Sequence, residues 1–331
     1  MNRTDGRDIR ASYTITTDVV VVGSGPAGSA AAREASRLGA QVVVIEEGRW
    51  FAPSEFPESS FEAMASMYRD LGASVVVGRA PTPFVQGKMV GGSSPINGAI
   101  CWRLPRDVHA EWVANDPELG EALPFELVDE TTGALEERLG VRDTERNIAG
   151  PKNLLMARGA EALGLAHRPI RRNVTGCEGL GRCMQGCPKG KKASVDATLL
   201  ADAEATGTCV LSSVEVTSIL ISRGRATGVR GRAAGGGEVV VHAKVAVIVA
   251  ASAVQTPALL MKSGLRSGPV GEGFQCHPGV SMAGRFPEPV RMWEGATQGH
   301  EVTGLRREGL KFEALGFGLA VMASRLSGGT A

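Results

Sequence analysis

Residues 19–48 constrain this chain more than any other stretch; they read VVVVGSGPAGSAAAREASRLGAQVVVIEEG. A β-branched apolar run (19–22) leads into Gly23, Ser24, Gly25, Pro26, Ala27 and Gly28. An alanine-rich helical segment follows, and a second apolar run (42–45) ends in Glu46. Each glycine of such a strand–turn–helix has its own task. Gly23 suits a tight turn, Gly25 lets the backbone approach a pyrophosphate, and Gly28 lets the helix pack closely on the strand. The helix N-terminus adds unpaired N–H donors and a partial positive charge where phosphates would sit. Glu46, eighteen positions beyond Gly28, can accept hydrogen bonds from ribose hydroxyls. The alternative is a glycine-rich turn with no ligand. Strand, glycines, helix, strand and acid inside one unit favour a dinucleotide site over it.

The totals set the limits. A chain of 331 residues allows two or three structural domains and a large buried core. Its 44 glycines are many and its 2 tyrosines few, which suits a fold with many turns and close backbone-to-cofactor contacts. Lys plus Arg (36) nearly balances Asp plus Glu (35), so the charge gives no hint of a nucleic-acid or anionic-membrane partner. The first 17 residues are polar and lack the apolar core of a signal peptide. The longest apolar stretch, 239–254, is broken by His242 and Lys244, so no membrane span is expected. These features point to a soluble, cytoplasmic protein. The six cysteines do not suggest a disulfide scaffold, but Cys177, Cys183 and Cys187 cluster.

Along the chain, residues 1–17 read as a disordered lead-in and 18–48 as the first βαβ unit. Residues 49–84 hold Pro53, Pro57, Pro81 and Pro83 around a short helix at 59–71, a loop-rich surface excursion. Residues 86–103 form a second glycine-rich segment. Asp107 can cap a helix running through Trp112, and Pro124 begins another that passes Leu135 and Leu139 to Gly140. An amphipathic helix at 150–166 would turn Leu154, Leu155, Ala162 and Leu163 inward. The cysteine loop (173–193) and a helix at 194–206 follow. Strands are expected at 209–211 and 214–222, and as a hairpin of 226–233 and 238–243 around Gly235, Gly236 and Gly237. The continuous apolar run 245–250 suits a strand buried on both faces of a parallel sheet. Thr256 and Pro257 then open a short helix ending at Gly264. Strand-like segments recur at 281–286 and 310–317. There is no internal repeat and no low-complexity tract.

Four segments together resemble the glucose–methanol–choline (GMC) oxidoreductases, a family of FAD-dependent alcohol oxidases and dehydrogenases. The first is the unit above, with Glu46 in the place of the family's ribose-binding acid. The second runs Gly91, Gly92, Ser93, Ser94, Pro95, Ile96, Asn97, Gly98 and is similar to the GGSS-x-x-NG segment that lies against the flavin and its diphosphate. Two glycines allow backbone approach, Ser93 can donate to phosphate, and Asn97 can bond the flavin edge. The third, residues 250–264, resembles the signature GA-x-x-[ST]P-x-L-L-x-x-SG, with Ser252 where glycine is usual. The fourth, residues 270–278, is similar to VG-x-NL-x-DHP, with Gly273 and Cys276 in place of Asn and Asp. The ordered set is far more specific than any member, each of which reads alone as a turn or a capped strand–helix.

The resemblance implies an α/β fold: a split FAD-binding Rossmann-type domain with an inserted β-meander (226–243), plus an incomplete α+β substrate domain. The strand at 245–250 would return beside the first, and Val214–Val216 would lie near the adenine. The implied boundaries are 18–280 for the FAD-binding domain, with 49–206 as an excursion, and 281–331 for the start of the substrate domain. Implied FAD contacts are Gly23, Gly25, Gly28, Glu46, Gly91, Gly92, Ser93, Asn97, Val216 and Ala251.

The cysteine loop resembles one found in a branch of this family that includes long-chain alcohol oxidases and bacterial sugar dehydrogenases. In the latter, cysteines spaced C-x5-C-x3-C hold an iron–sulfur cluster that passes electrons to a protein partner. Cys177, Cys183 and Cys187 have that spacing. Thiolates are soft ligands for iron, and Lys189, Lys191 and Lys192 would offset a cluster's negative charge. A metal-free loop of reduced thiols is an equal alternative. A disulfide is disfavoured in the cytoplasm, and zinc lacks a fourth ligand, since neither His167 nor Cys209 is suitably spaced.

Flavin-dependent alcohol oxidation needs a base for the hydroxyl proton while hydride passes to the flavin N5. The family's catalytic histidine lies near the end of longer chains. Here His277 matches a non-catalytic segment, His242 suits a strand face and His109 a helix surface, and neither His167 nor His300 has the context of a general base. No catalytic residue is therefore assigned. The expectation is the N-terminal portion of a longer enzyme, or one piece of a split one. As an enzyme it would oxidise CH–OH groups of a small-molecule alcohol or sugar and pass electrons to oxygen, a quinone or an acceptor protein. The alternative is a non-catalytic flavin-binding or electron-transfer subunit. A simple NAD-linked dehydrogenase is disfavoured by the 91–98 segment and the meander.

Overall fold

A computed structural model describes residues 3–78, 81–277, 279–316 and 318. Two compact units emerge: residues up to Ile96 with Val195–Arg285, and Asn97–Ser194 with the described residues from Phe286. The segment Asn97–Ser194 makes up the greater part of the second unit.

The first unit is built on seven strands: β1 (Arg3–Asp5), β2 (Tyr13–Val22), β3 (Val42–Ile45), β4 (Cys209–Ser212), β5 (Val214–Ser222), β6 (Arg225–Ala233) and β7 (Glu238–Val249). Their order is β1-β4-β3-β2-β7-β6-β5. Pairing is parallel from β1 across to β7 and antiparallel in the β7-β6-β5 meander. Runs of valine suit the centre of such a sheet, because both faces are covered and successive side chains feed opposite cores. Val19, Val21, Val42, Val44 and Val210 pack with Ala32, Leu200 and Ala203, which lie on the helices Pro26–Arg37 and Leu199–Ala205. Val20, Val22, Val43, Ile45 and Leu211 pack on the other face with Val229, Val241 and Leu259.

Several expectations are corrected here. The lead-in is ordered from Arg3: β1 pairs in parallel with β4, and residues 13–17 extend β2. Thr17 and the polar residues before it hid this strand, whose outer half pairs with Val239–Ala243 of β7. The segments 238–243 and 245–250 form one strand, β7, with a register shift between Ala243 and Ala246. Its end is only half-buried and Val245 is exposed. The reason is that β6 stops pairing with it at His242, leaving that edge open. The following helix spans Ser252–Lys262 with Pro257 inside it, rather than starting at Thr256. The helix expected at 194–206 begins only at Leu199; ahead of it the Val195 N–H donates to Ser94 Oγ at 2.8 Å.

The second unit holds helices Arg106–Asn115, Pro117–Ala122, Phe125–Arg138 and Pro151–Ala162. Its antiparallel sheet joins Phe312–Glu313, His300–Val302 and His167–Pro169. Of the strand expected at 310–317 only this pair of residues is extended, and Phe317 lies outside the described residues, as do Pro278 and 319–331. Residues 281–286 are irregular. The helix at 151–162 is turned from its expected face: Lys152, Asn153, Ala157 and Ala160 are buried, while Ala162 and Leu163 are exposed. Polar groups decide the phase. Lys152 Nζ donates to the carbonyls of Glu294 (3.1 Å) and Ala296 (2.7 Å), and Asn153 bridges the Ala296 carbonyl and the Gly299 N–H.

Candidate functional site

A cavity of about 660 Å³ opens at the carboxyl ends of β2, β3 and β7, where ligands bind in open α/β sheets. Its floor is main chain. The Gly23 N–H donates to the Ile45 carbonyl at 2.8 Å, joining the first two strand ends. A Cβ on Gly28 would lie 1.9 Å from the Gly23 carbonyl oxygen, so only glycine lets the helix sit this close to the turn. A Cβ on Gly92 would lie 2.9 Å from the Gly25 Cα, which brings the second glycine segment against the first.

Glu46 is buried in the cavity wall. Its Oε2 accepts from the Ser24 N–H (2.9 Å) and hydroxyl (2.8 Å), and its Oε1 from the Gly48 N–H (2.9 Å). Burial pushes the carboxyl up from its ordinary value, and these hydrogen bonds only partly oppose that shift. Ser24 Oγ also accepts from the Gly91 N–H at 3.0 Å. One serine thus binds the acid and anchors the second glycine segment. Sequence reasoning passed over it as a spacer; its only signal was a hydroxyl inside the G-x-G turn. Beside it, Glu47 is paired with Arg69 (2.5 Å) and Lys88 (2.8 Å). Burial raises the Glu47 carboxyl, but the two cations more than offset this and hold it below the usual range.

Of the ten expected cofactor contacts, Gly23, Gly25, Glu46, Gly92, Ser93, Val216 and Ala251 line the cavity. Gly28 and Gly91 lie behind it, in the packing and hydrogen bonding just described. Asn97 belongs to the second unit, where its Oδ1 accepts from the Ala99 N–H at 2.9 Å. Arg69, Gln86, Ser252, Gln255 and Lys262 line the cavity without having been singled out for it.

Among the described residues no histidine lines the cavity. His109 is buried rather than on a helix surface: its Nε2 lies 2.9 Å from the Leu123 carbonyl and its ring meets Phe125 edge-on. His242 and His277 are exposed. His167 Nδ1 and His300 Nε2 are 2.8 Å apart in the second unit, and burial, then the neighbouring ring, pushes His300 down.

The cysteine loop folds so that Cys177, Cys183 and Cys187 border one small pocket of about 30 Å³. Among the described residues no group of three His, Cys, Asp or Glu side chains could hold a metal ion. The buried Arg172 guanidinium lies against the thiols instead, 3.1 Å from Cys183 Sγ and 3.9 Å from Cys177 Sγ. With Arg172 lying against the thiols, these residues as arranged give no support to an iron–sulfur cluster. Spacing put the sulfurs in one neighbourhood; a side chain outside the motif occupies the space between them. All six cysteines are free.

A parallel sheet that opens at its carboxyl ends into a glycine-floored cavity with a buried acid in its wall defines a dinucleotide-binding protein of the split α/β kind. Residues 64–279 match the family model for GMC oxidoreductases, and 18–51 match that for FAD-dependent oxidoreductases. The chain belongs to the GMC oxidoreductase family and is an FAD-type flavoprotein. It is 38% identical over 283 residues to a GMC-type oxidoreductase of Mycobacterium tuberculosis, covering 85% of this chain and 44% of that protein. It is 32% identical over 313 residues to a long-chain-alcohol oxidase of Arabidopsis thaliana, covering 89% and 40%. The chain therefore spans less than half the length of either relative. In fold it is similar to a formate oxidase of Aspergillus oryzae, with a TM-score of 0.53 at 18% identity over 77% of this chain and 48% of that one. Among the described residues no helix is long and apolar enough to cross a membrane.

Proposed function

We propose that this chain carries the FAD site of an oxidoreductase that oxidises CH–OH groups of an alcohol or sugar. The observation that supports it best is the convergence of Gly23, Gly25, Glu46, Gly92, Ser93, Val216 and Ala251 on one cavity. The volume suits a large ligand, and the chemistry of the walls suits the two ends of a dinucleotide. Glu46 is the acceptor for ribose hydroxyls. The close approach of Gly25 and Gly92 leaves a main-chain wall for the diphosphate. Val216 and Ala251 offer apolar and backbone contact to a ring. Bound FAD would supply the two-electron acceptor for hydride from the alcohol carbon. This chain's own residues bind and orient that group and keep its diphosphate out of water.

Similarity to long-chain-alcohol oxidases favours an alcohol as donor. Oxygen, a quinone or an acceptor protein would then receive the electrons. Free thiols throughout are consistent with a reducing, cytoplasmic setting. The lack of a histidine in the cavity lining, among the described residues, favours a general base from outside this set of residues. It also supports a second reading, a flavin-binding piece that depends on another chain for chemistry. The test is to load the purified protein with FAD and mix it anaerobically with a panel of alcohols and sugars. Bleaching of the visible flavin bands is expected. FAD uptake without bleaching would favour the second reading, and no uptake would defeat both.

A further inference from the structure

Ser252, where the related signature has glycine, has a φ of +80°. Side-chain-bearing residues rarely enter this left-handed region, and such outliers persist only when their surroundings hold them there. The hydroxyl has four polar contacts, the three accepted ones sharing its two lone pairs. It donates to Gln255 Oε1 (2.7 Å) and accepts from the N–H groups of Val254 (3.3 Å) and Gln255 (3.2 Å), contacts that serve the first turn of the helix. Helix capping alone does not call for this backbone, because a capping serine normally sits on an extended residue. The remaining contact is of another kind. Gln86 Nε2 donates to Ser252 Oγ at 3.0 Å across 166 positions of sequence.

Gln86 is bound into the second glycine segment. The next residue, Gly87, donates its N–H to Ser93 Oγ at 2.9 Å. A Cβ on Gly87 would come 2.3 Å from the Gly92 carbonyl oxygen, so the two stretches lie in contact. Gln86, Gly92 and Ser93 line the cavity from this segment, and Ala251, Ser252 and Gln255 line it from the turn after β7. We infer that Ser252 is a positioning residue that acts through Gln86: it ties the glycine segment to the β7 turn and fixes the spacing of these two walls before FAD enters. The inference rests on the FAD reading of the cavity. Walls held in place beforehand spare the cofactor the cost of ordering them, so the tie should be read out in affinity.

FAD dissociation constants, from quenching of flavin fluorescence by the apoprotein, are measured with Tm for wild type, Ser252→Gly, Gln86→Leu and the double variant. Each single change is expected to weaken FAD binding about tenfold, or about 1.4 kcal/mol, with Tm unchanged. Glycine relieves the strained backbone and is itself a tolerable cap. The double variant should be no weaker than either single, because both break one link. Wild-type affinity in Ser252→Gly, or losses that add in the double variant, would overturn the inference. If Ser252→Gly does not fold, Gln86→Leu decides alone: a tenfold loss supports the tie and no loss rejects it. A wild-type protein that takes up no FAD defeats the underlying reading, whereas tight wild-type binding with unaffected variants rejects only the tie.

Discussion

The glycine-floored cavity of the first unit, the one proposed for FAD, and the thiol pocket of the second are made of different materials. The cavity's floor is main chain and small residues at strand ends, Gly23, Gly25, Gly92, Ala250 and Ala251, with longer side chains such as Arg69 and Lys262 at its sides. Its one buried acid is satisfied by N–H groups and a hydroxyl from the turns it joins. The pocket is walled by long or reactive side chains, with three thiols, Arg172 and Lys192 around a space of about 30 Å³. Backbone position is set by the sheet and leaves little freedom, so a glycine pattern can announce a finished site. Side chains reach several positions each, so cysteine spacing announces only a neighbourhood. The first region should therefore be brittle toward added atoms, and the second sensitive to charge.

The sharpest test of brittleness is Gly28→Val. Its Cβ would sit 1.9 Å from the Gly23 carbonyl oxygen, and both partners are backbone of the same tight turn. A loss of at least about 3 kcal/mol of stability is expected, together with loss of FAD binding. Urea unfolding and FAD titration check it. A wild-type unfolding midpoint would break the comparison at its first term.

The second unit should answer to charge. Burial brings the Lys152 ammonium down to about 8 from its ordinary value of 10.5. Between those values the unfolded chain binds a proton that the folded chain has released, so stability rises with pH across the window. The full change is about 3 kcal/mol, at 1.36 kcal/mol for each pKa unit. Lys152→Met should flatten the rise. Urea midpoints at pH 7.5 and pH 10 distinguish the two, and a wild-type profile that stays flat would count against a buried, strained charge.

Glu46 belongs to the brittle site yet titrates. Glu46→Gln puts an amide NH2 where a carboxylate oxygen now accepts an N–H, from Ser24 or from Gly48. FAD binding should weaken about tenfold, which is about 1.4 kcal/mol. Because burial raises this carboxyl, the folded apoprotein keeps a proton that the unfolded chain loses above the ordinary value of 4.5. Stability should fall as pH climbs from there through the raised folded value, and the variant should lose that slope. Thermal melts across pH 4 to 8 read it directly.

How much of this was legible in the sequence follows the same division. The first βαβ unit, the meander and the return of a strand beside β2 were readable, because valine runs and glycine turns report backbone geometry. The lead-in was not: β1 and the outer half of β2 are polar, and they are strands because partners far along the chain, β4 and β7, offer edges to pair with. The helix at 151–162 was placed but its face was not, since Lys152 and Asn153 find carbonyl and N–H partners some 140 residues away. At the site, seven of the ten proposed contacts reach the cavity, while Ser24 and Gln86 escaped notice because their role is a side-chain bond to a distant segment.

The smallest expected effect probes the pocket's centre. Arg172 is almost wholly buried, its Nε has no partner among the described residues, and its other nitrogens rest on sulfur. A buried cation with such partners contributes little net stability, and an apolar side chain of similar reach can replace it at small cost. Arg172→Met should shift stability by less than about 1 kcal/mol, far below Gly28→Val. Its electrostatic effect should be plain. Burial pushes the Cys183 thiol up, but Arg172 and Lys192 more than offset this and hold it below its ordinary value. Without the guanidinium the balance tips back toward burial, so alkylation of Cys183 at neutral pH should slow and its pH midpoint should rise. Measured with the other five cysteines changed to serine, that shift isolates one thiol. A large fall in Tm with unaltered thiol reactivity would mean that Arg172 is a packing element, and the contrast between a backbone site and a charged pocket would lose its second half.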